Sequence, residues 1–104
     1  MSRGPDAAIL LERALMGSAE AAGCPIRIVA ADWTRWASAT FTGARHVLTL
    51  AAAPSDALDR WLAGLPEAEF ALRNYLVADI GVTRMTREGM VATVAIEALT
   101  VEDR

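Results

Sequence analysis

The chain has 104 residues, enough for one hydrophobic core, so we expect a single domain over residues 1–104. Hydrophobic residues make up 54% of the chain and charged residues 22%, a balance that excludes intrinsic disorder. The formal net charge is −3, and the positive charge comes from arginines that form no stripe, which argues against nucleic-acid binding. No apolar run reaches the roughly 20 residues that cross a bilayer, which argues against a membrane anchor.

The first predicted element is an amphipathic helix. Asp6 follows Pro5 and is a suitable N-cap, and apolar residues then recur at helical spacing, as Leu11 and Leu15 do. Gly23 can adopt the left-handed conformation that closes a helix, and the proline two residues later prevents its continuation. The helix is therefore predicted to end just before Gly23.

A β-hairpin is predicted next. Residues 26–42 are rich in β-branched and aromatic side chains, which favours a strand, and Gly43 with Ala44 is predicted to form the turn. The following segment, His46 to Leu50, alternates leucines on one face with Val47 and Thr49 on the other. Residues 32–35, inside the first strand, are compatible with either a bulge or an extra turn.

A second helix and a second hairpin complete the chain. Ser55 is the expected cap of the helix, and its apolar residues fall on one stripe: Leu58, Trp61, Leu62 and Leu65. Residues 75–85 and 90–101 alternate as two strands, with residues 86–89 as the turn. The predicted fold class is α+β in the order helix, hairpin, helix, hairpin, with a mixed or antiparallel sheet and two helices on one face.

Candidate catalytic residues are few. Cys24, His46 and Asp79 are the only set that contains both a thiol and an imidazole, and they lack any local signature of a nucleophilic site. One histidine and one cysteine cannot supply a zinc site, and no glycine-rich loop precedes a helix. We therefore expect no enzyme activity, no metal and no cofactor. A single cysteine and the absence of a signal-peptide layout predict a cytoplasmic setting.

Tryptophan and arginine provide the candidate interface residues, because these types most often anchor protein interfaces. Trp33 and Trp36 are three positions apart in extended chain, so they are predicted to lie on opposite faces, and core or surface packing stays open for each. With Arg35 between them, they are candidates for one contact patch. Arg84 and Arg87, near the tip of the second hairpin, are candidates for contact with a neighbour.

Two segments resemble the tail terminator, or tail completion, family of long-tailed phages, especially the version in gene transfer agents. Residues 36–50 are similar to a strand, a polar turn and a histidine-led strand that ends in Leu-Thr-Leu. Residues 72–101 resemble that family's second hairpin, with Arg84 to Gly89 as its turn and Glu97-Ala98-Leu99-Thr100 in its closing strand. The chain departs from the family in its short link over residues 23–25 and in Ala51-Ala52-Ala53, where the family often has an aromatic residue.

The resemblance implies a structural protein without catalytic activity. Its subunits would form a ring, expected to be a hexamer, that caps the tail tube and meets the head-tail connector protein. The partners would be the chain itself, the tail tube protein and the connector, first in the cytoplasm and then in the released particle.

Two other readings stay open at the level of sequence. The first is a stand-alone ferredoxin-like domain that binds a small ligand or has a regulatory role, which a pocket with convergent polar groups would favour. The second is a small cysteine hydrolase, which would require Cys24 within hydrogen-bond reach of His46.

Overall fold

The computed structural model describes residues 4–103, with side chains from residue 7 onward. In chain order the elements are α1 (Gly4–Ala21), β1 (Arg27–Ala37), β2 (Thr42–Ala52), α2 (Asp56–Gly64), a short 3-10 turn (Leu65–Glu67), β3 (Tyr75–Glu88) and β4 (Val91–Glu102). The four strands form one sheet in the order β1-β2-β4-β3, and every neighbouring pair is antiparallel. The α+β class is therefore confirmed, as a four-stranded antiparallel sheet with two helices.

The helix ends follow the local sequence signals. At the end of α1, Gly23 has φ 83°, and the Cys24 N–H donates to the Ala19 carbonyl at 2.9 Å. At the start of α2, the Ser55 Oγ accepts the Leu58 N–H at 3.0 Å, so the predicted cap is confirmed. Helix α1 already begins at Gly4, which places Asp6 inside it, and the Asp6 side chain lies outside the described residues.

The turn between β1 and β2 differs from the prediction. Gly43 and Ala44 lie within β2, and the chain reverses over Ser38–Phe41 instead. There the Ser38 Oγ accepts the Phe41 N–H at 3.1 Å, and the Ser38 N–H donates to the Phe41 carbonyl at 2.8 Å. The serine hydroxyl substitutes for backbone partners in the turn, so no glycine is needed. The irregularity of β1 is a register shift between Ile28 and Ala30, while residues 32–35 pair regularly.

The second hairpin also turns later than predicted. Its loop is Gly89–Met90, and Gly89 has φ 60°, the positive value that two-residue hairpin loops require. Residues 86–88 continue β3, so Arg84 and Arg87 are strand residues rather than turn residues.

One face of the sheet forms the core with the two helices. Along β4, and along β2 from Ala44 to Leu50, the buried side chains alternate with exposed or half-buried ones, and the buried set packs against both helices. The largest fully buried members are Leu11, Leu15, Leu48, Leu50, Leu58, Leu65, Ile96 and Val94. We call the opposite side of the sheet, which neither helix covers, the open face.

Candidate functional site

The two tryptophans of β1 lie on opposite faces of the sheet. Trp33 pairs with His46, whose side chain is buried on the helix side, whereas Trp36 pairs with Gly43, three residues away on β2 and so on the open face. Both indoles are half-buried. The structure therefore separates the predicted patch: Arg35 stays with Trp33, and Trp36 stands apart.

Trp33 and Arg35 line a small recess on the helix side that extends across the sheet from β1 to β3. Tyr75, Thr100 and Glu102 also line this recess. The Arg35 guanidinium lies 3.9 Å from the Glu102 carboxylate, and the arginine side chain is 62% exposed. An ion pair this exposed and this long contributes little to stability, so Arg35 remains able to bind another group.

Trp36 belongs to a shallow groove on the open face. Thr34, Arg45 and Leu99 are the other residues that line it. The indole lies against Gly43, so that a methyl group there would be 3.0 Å from Trp36 Cζ2. Its Nε1 atom is buried and has no hydrogen-bond partner among the described residues. A buried indole N–H without a partner costs about 1–3 kcal/mol.

Further apolar side chains surround this groove, and sequence inspection did not single them out. Val47 is 45% exposed and Leu76 is 55% exposed, and both project from the open face. Leu99 and Val101 are half-buried on the same face. The sequence of β4 does indicate this apolar surface, because the residues near the end of the strand are apolar on both of its faces. A strand of this kind is typical of a sheet covered on both sides.

The arginines of β3 have different surroundings. Arg84 pairs with Ala95 and lies on the open face, where its side chain is exposed. Arg87 lies on the helix side, and its Nη2 donates to the Asp59 carboxylate of α2 at 2.8 Å. Arg87 therefore ties the tip of β3 to α2, and Arg84 is the arginine of this pair that faces outward beside the apolar groups.

The candidate catalytic groups are not brought together. Cys24 lies three residues before Arg27, which pairs with Ala51 of β2. His46 precedes Ala51 by five residues, so about 17 Å of strand separates His46 from the end of the sheet where Cys24 enters β1. Burial raises the pKa of the Cys24 thiol, which disfavours the reactive thiolate. The His46 Nε2 lies 2.9 Å from the Thr100 Oγ1, and that hydroxyl donates to the Ala44 carbonyl. The imidazole is thus held by a structural hydrogen bond in the core.

The burial of His46 predicts a pH-dependent stability. Burial lowers its pKa below the ordinary value of 6.5, so the unfolded chain binds a proton more readily than the folded one. This contribution to the free energy of unfolding is complete above pH 6.5 and is lost as the pH falls from there toward the folded-state pKa. Urea denaturation between pH 5 and pH 8 measures it, with His46→Gln as the control. The variant should lose less stability than the wild type on acidification. Equal losses would contradict the assignment.

The described part of the chain holds neither a cluster of metal ligands nor a helix suited to span a membrane. Among residues 4–103, no group of three or more histidine, cysteine, aspartate or glutamate side chains is arranged to hold a metal ion. Within the same residues, neither helix combines the length and the apolar character that a membrane span requires. Comparison of the chain with protein-family models, curated proteins and solved structures gives no match.

Proposed function

We propose that the chain is a non-catalytic assembly subunit of the tail terminator type, which forms a ring, capping a phage-like tail tube and joining it to the head connector. In this proposal the structural elements follow the chain order helix, hairpin, helix, hairpin, and both helices lie on one face of the sheet. The open face is then left for a protein partner. The observation that carries the proposal is the set of exposed apolar residues around Trp36 on that face.

The chemistry of the open face suits a protein surface. Its apolar groups are interspersed with charges, and the Arg45 guanidinium lies 3.3 Å from the Glu97 carboxylate in the middle of the sheet. Exposed apolar groups interspersed with charges, with tryptophan and arginine among them, are typical of protein interfaces. The mixed charge of this face also agrees with the absence of a basic field for nucleic acid.

The spacing of the two outward-facing candidates favours a large partner. Trp36 is level with Val101 on β4, and Arg84 is level with Ala95, so they are about 20 Å apart along the strands. They also stand on opposite edge strands, about 14 Å apart across the sheet. A small ligand cannot contact both residues. A neighbouring subunit or a tube surface can, which is why we prefer assembly to the ligand-binding alternative.

Ring formation in this proposal uses a head-to-tail contact, in which the open face of one subunit meets a different surface of the next. Closure then depends on the rotation between neighbours, and a hexamer is the expected outcome. The subunit would be cytoplasmic during assembly and part of the particle afterwards.

We expect Trp36→Ala and Arg84→Glu each to weaken binding to purified tail tubes by about tenfold or more, as loss of an interface anchor does. Chemical crosslinking and light scattering of the chain mixed with tubes would measure ring formation and binding. Arg60→Glu, a charge reversal on the exposed side of α2, is the matched control and should bind normally. Binding that Trp36→Ala and Arg84→Glu leave unchanged, or a chain that stays monomeric on tubes, would rule out this role for the open face.

A further inference from the structure

The outer edge of β1 presents unused backbone groups. The Ser38 N–H donates to the Phe41 carbonyl, so these two residues form a hydrogen-bonded pair. From there along β1 and β2, hydrogen-bonded and non-hydrogen-bonded residue pairs alternate, as in any antiparallel ladder. The backbone N–H and carbonyl groups of every second residue of β1 therefore point away from β2. These residues are Ala31, Trp33, Arg35 and Ala37. No strand within residues 4–103 pairs with them.

The two edges of the sheet are not equally suited to pairing. Strand β3 has register shifts at Val77/Asp79 and at Val82/Arg84, and such bulges interrupt pairing with another chain. Strand β1 is regular from Ala30 to Ala37. Its edge is therefore the longer uninterrupted template for an added strand.

Helix α1 provides a second surface beside this edge. It contacts β1 and β2, and its Ser18 Oγ accepts a hydrogen bond from Trp61 of α2 at 2.9 Å. At 100° per residue, Met16 and Ile9 lie about 120–140° from the centre of the buried stripe of α1, on the flank away from α2, and Glu12 lies between them and the sheet. Ile9 is 47% exposed and Met16 is 38% exposed. The flank of α1 beside the unpaired edge therefore carries two exposed apolar side chains together with Glu12.

We propose that this edge and flank bind a second copy of the chain through antiparallel pairing of β1 with β1 about a twofold axis. The proposal rests on the edge itself and does not require the ring, whose contact lies on the open face.

The sequence of β1 fixes the register of the pair. The outward-pointing residues of β1 are spaced symmetrically about Thr34, with an alanine at each end of the set: Ala31, Trp33, Arg35 and Ala37. With Thr34 on the twofold axis, all of the outward-pointing residues form hydrogen-bonded pairs with the second copy, about eight hydrogen bonds in total. A register shifted by one residue pair would leave the backbone groups at one end of each strand without a partner. Trp33 then lies opposite Arg35 of the second copy on the same face, a cation–π arrangement. The two α1 helices run antiparallel above the strands, with the Ile9 and Met16 flanks in contact.

Asp32 controls access to this edge. Its Oδ1 accepts the outward Trp33 N–H at 2.9 Å, so the carboxylate occupies the middle of the edge in the single chain. Pairing requires this hydrogen bond to exchange for one with the second copy. Asp32 thus keeps the dimer weak and dependent on concentration, in the manner of acidic residues that protect strand edges.

Sedimentation equilibrium of the purified chain tests the proposal. We expect Asp32→Ala to tighten the dimer about tenfold or more, because the two Asp32 hydrogen bonds of the pair, one in each copy, no longer have to be exchanged. Asp79→Ala, an aspartate on the other edge strand, is the matched control and should leave association unchanged. Met16→Glu should abolish the dimer without any change in the strands.

Proline tests the backbone directly. Ala31→Pro removes an outward N–H and should abolish the dimer while β1 and β2 stay paired, because edge strands tolerate proline at such positions. Arg87→Pro is the control on β3: Glu88 and Val91 flank the two-residue loop, so the Arg87 N–H also points outward. An Asp32→Ala variant that stays monomeric at millimolar concentration overturns the proposal. So does a dimer that persists in folded Ala31→Pro and Met16→Glu variants. A larger oligomer that depends on Trp36 and Arg84 alone would support the ring and contradict the edge pairing.

Discussion

Gly43→Ala is expected to lower the free energy of unfolding by about 3 kcal/mol or more, a large effect for one added methyl group. Gly43 is a strand residue with an ordinary negative φ, so the cause is space and not backbone conformation. A Cβ at this position would overlap the Thr100 carbonyl oxygen and also press on Trp36. The carbonyl belongs to the backbone of β4, so it cannot move without disturbing the pairing of β2 with β4. Urea denaturation measures the effect.

Two further variants identify the obstacle. Gly81→Ala is the matched control, because Gly81 is also a strand glycine and a Cβ there meets nothing within 4 Å. Its stability should stay within about 0.5 kcal/mol of the wild type. The double variant Gly43→Ala with Trp36→Ala should remain as unstable as Gly43→Ala alone, since the backbone contact persists. Recovery of stability on removal of the indole would instead identify Trp36 as the obstacle.

Gly43 also shows why part of the fold was not predictable from the sequence. A glycine is required in a turn with positive φ and equally where two backbones approach closely, and the residue itself does not distinguish these causes. The prediction placed the turn at Gly43 and Ala44, whereas the real turn depends on the Ser38 hydroxyl. At Gly23 and Ser55 the same kind of reasoning succeeded, because a helix end is determined by residues close in the chain.

The candidate binding surface, like the fold, was predictable from the sequence only in part. The period of two in a strand correctly separated Trp33 from Trp36, since it depends on spacing alone. Spacing does not say which face the helices cover, and it does not give the ion pair between Arg87 and Asp59, which are 28 residues apart. The apolar open face became apparent only when both helices were seen to pack on the other side.

Trp61→Ala is expected to lower the free energy of unfolding by about 3 kcal/mol, the lower end for loss of a large aromatic side chain from a core. The sequence stripe placed Trp61 with Leu58 and Leu62 toward the sheet. Both leucines are buried, and Trp61 is half-buried at the edge of the same cluster. Its indole Nε1 donates to the Ser18 Oγ of α1 at 2.9 Å, so it joins the two helices as well as packing on the core.

The packing and hydrogen-bond contributions of Trp61 can be separated. Trp61→Phe keeps most of the apolar contact and removes the indole donor, so it should cost about 1 kcal/mol, and Ser18→Ala should cost about the same. The double variant should then cost little more than either single one, because both remove one interaction. Thermal or urea unfolding of the four proteins gives this coupling. Additive losses would mean that the Ser18 contact contributes nothing, and a Trp61→Ala loss within about 0.5 kcal/mol of zero would mean that the indole does not pack on the core.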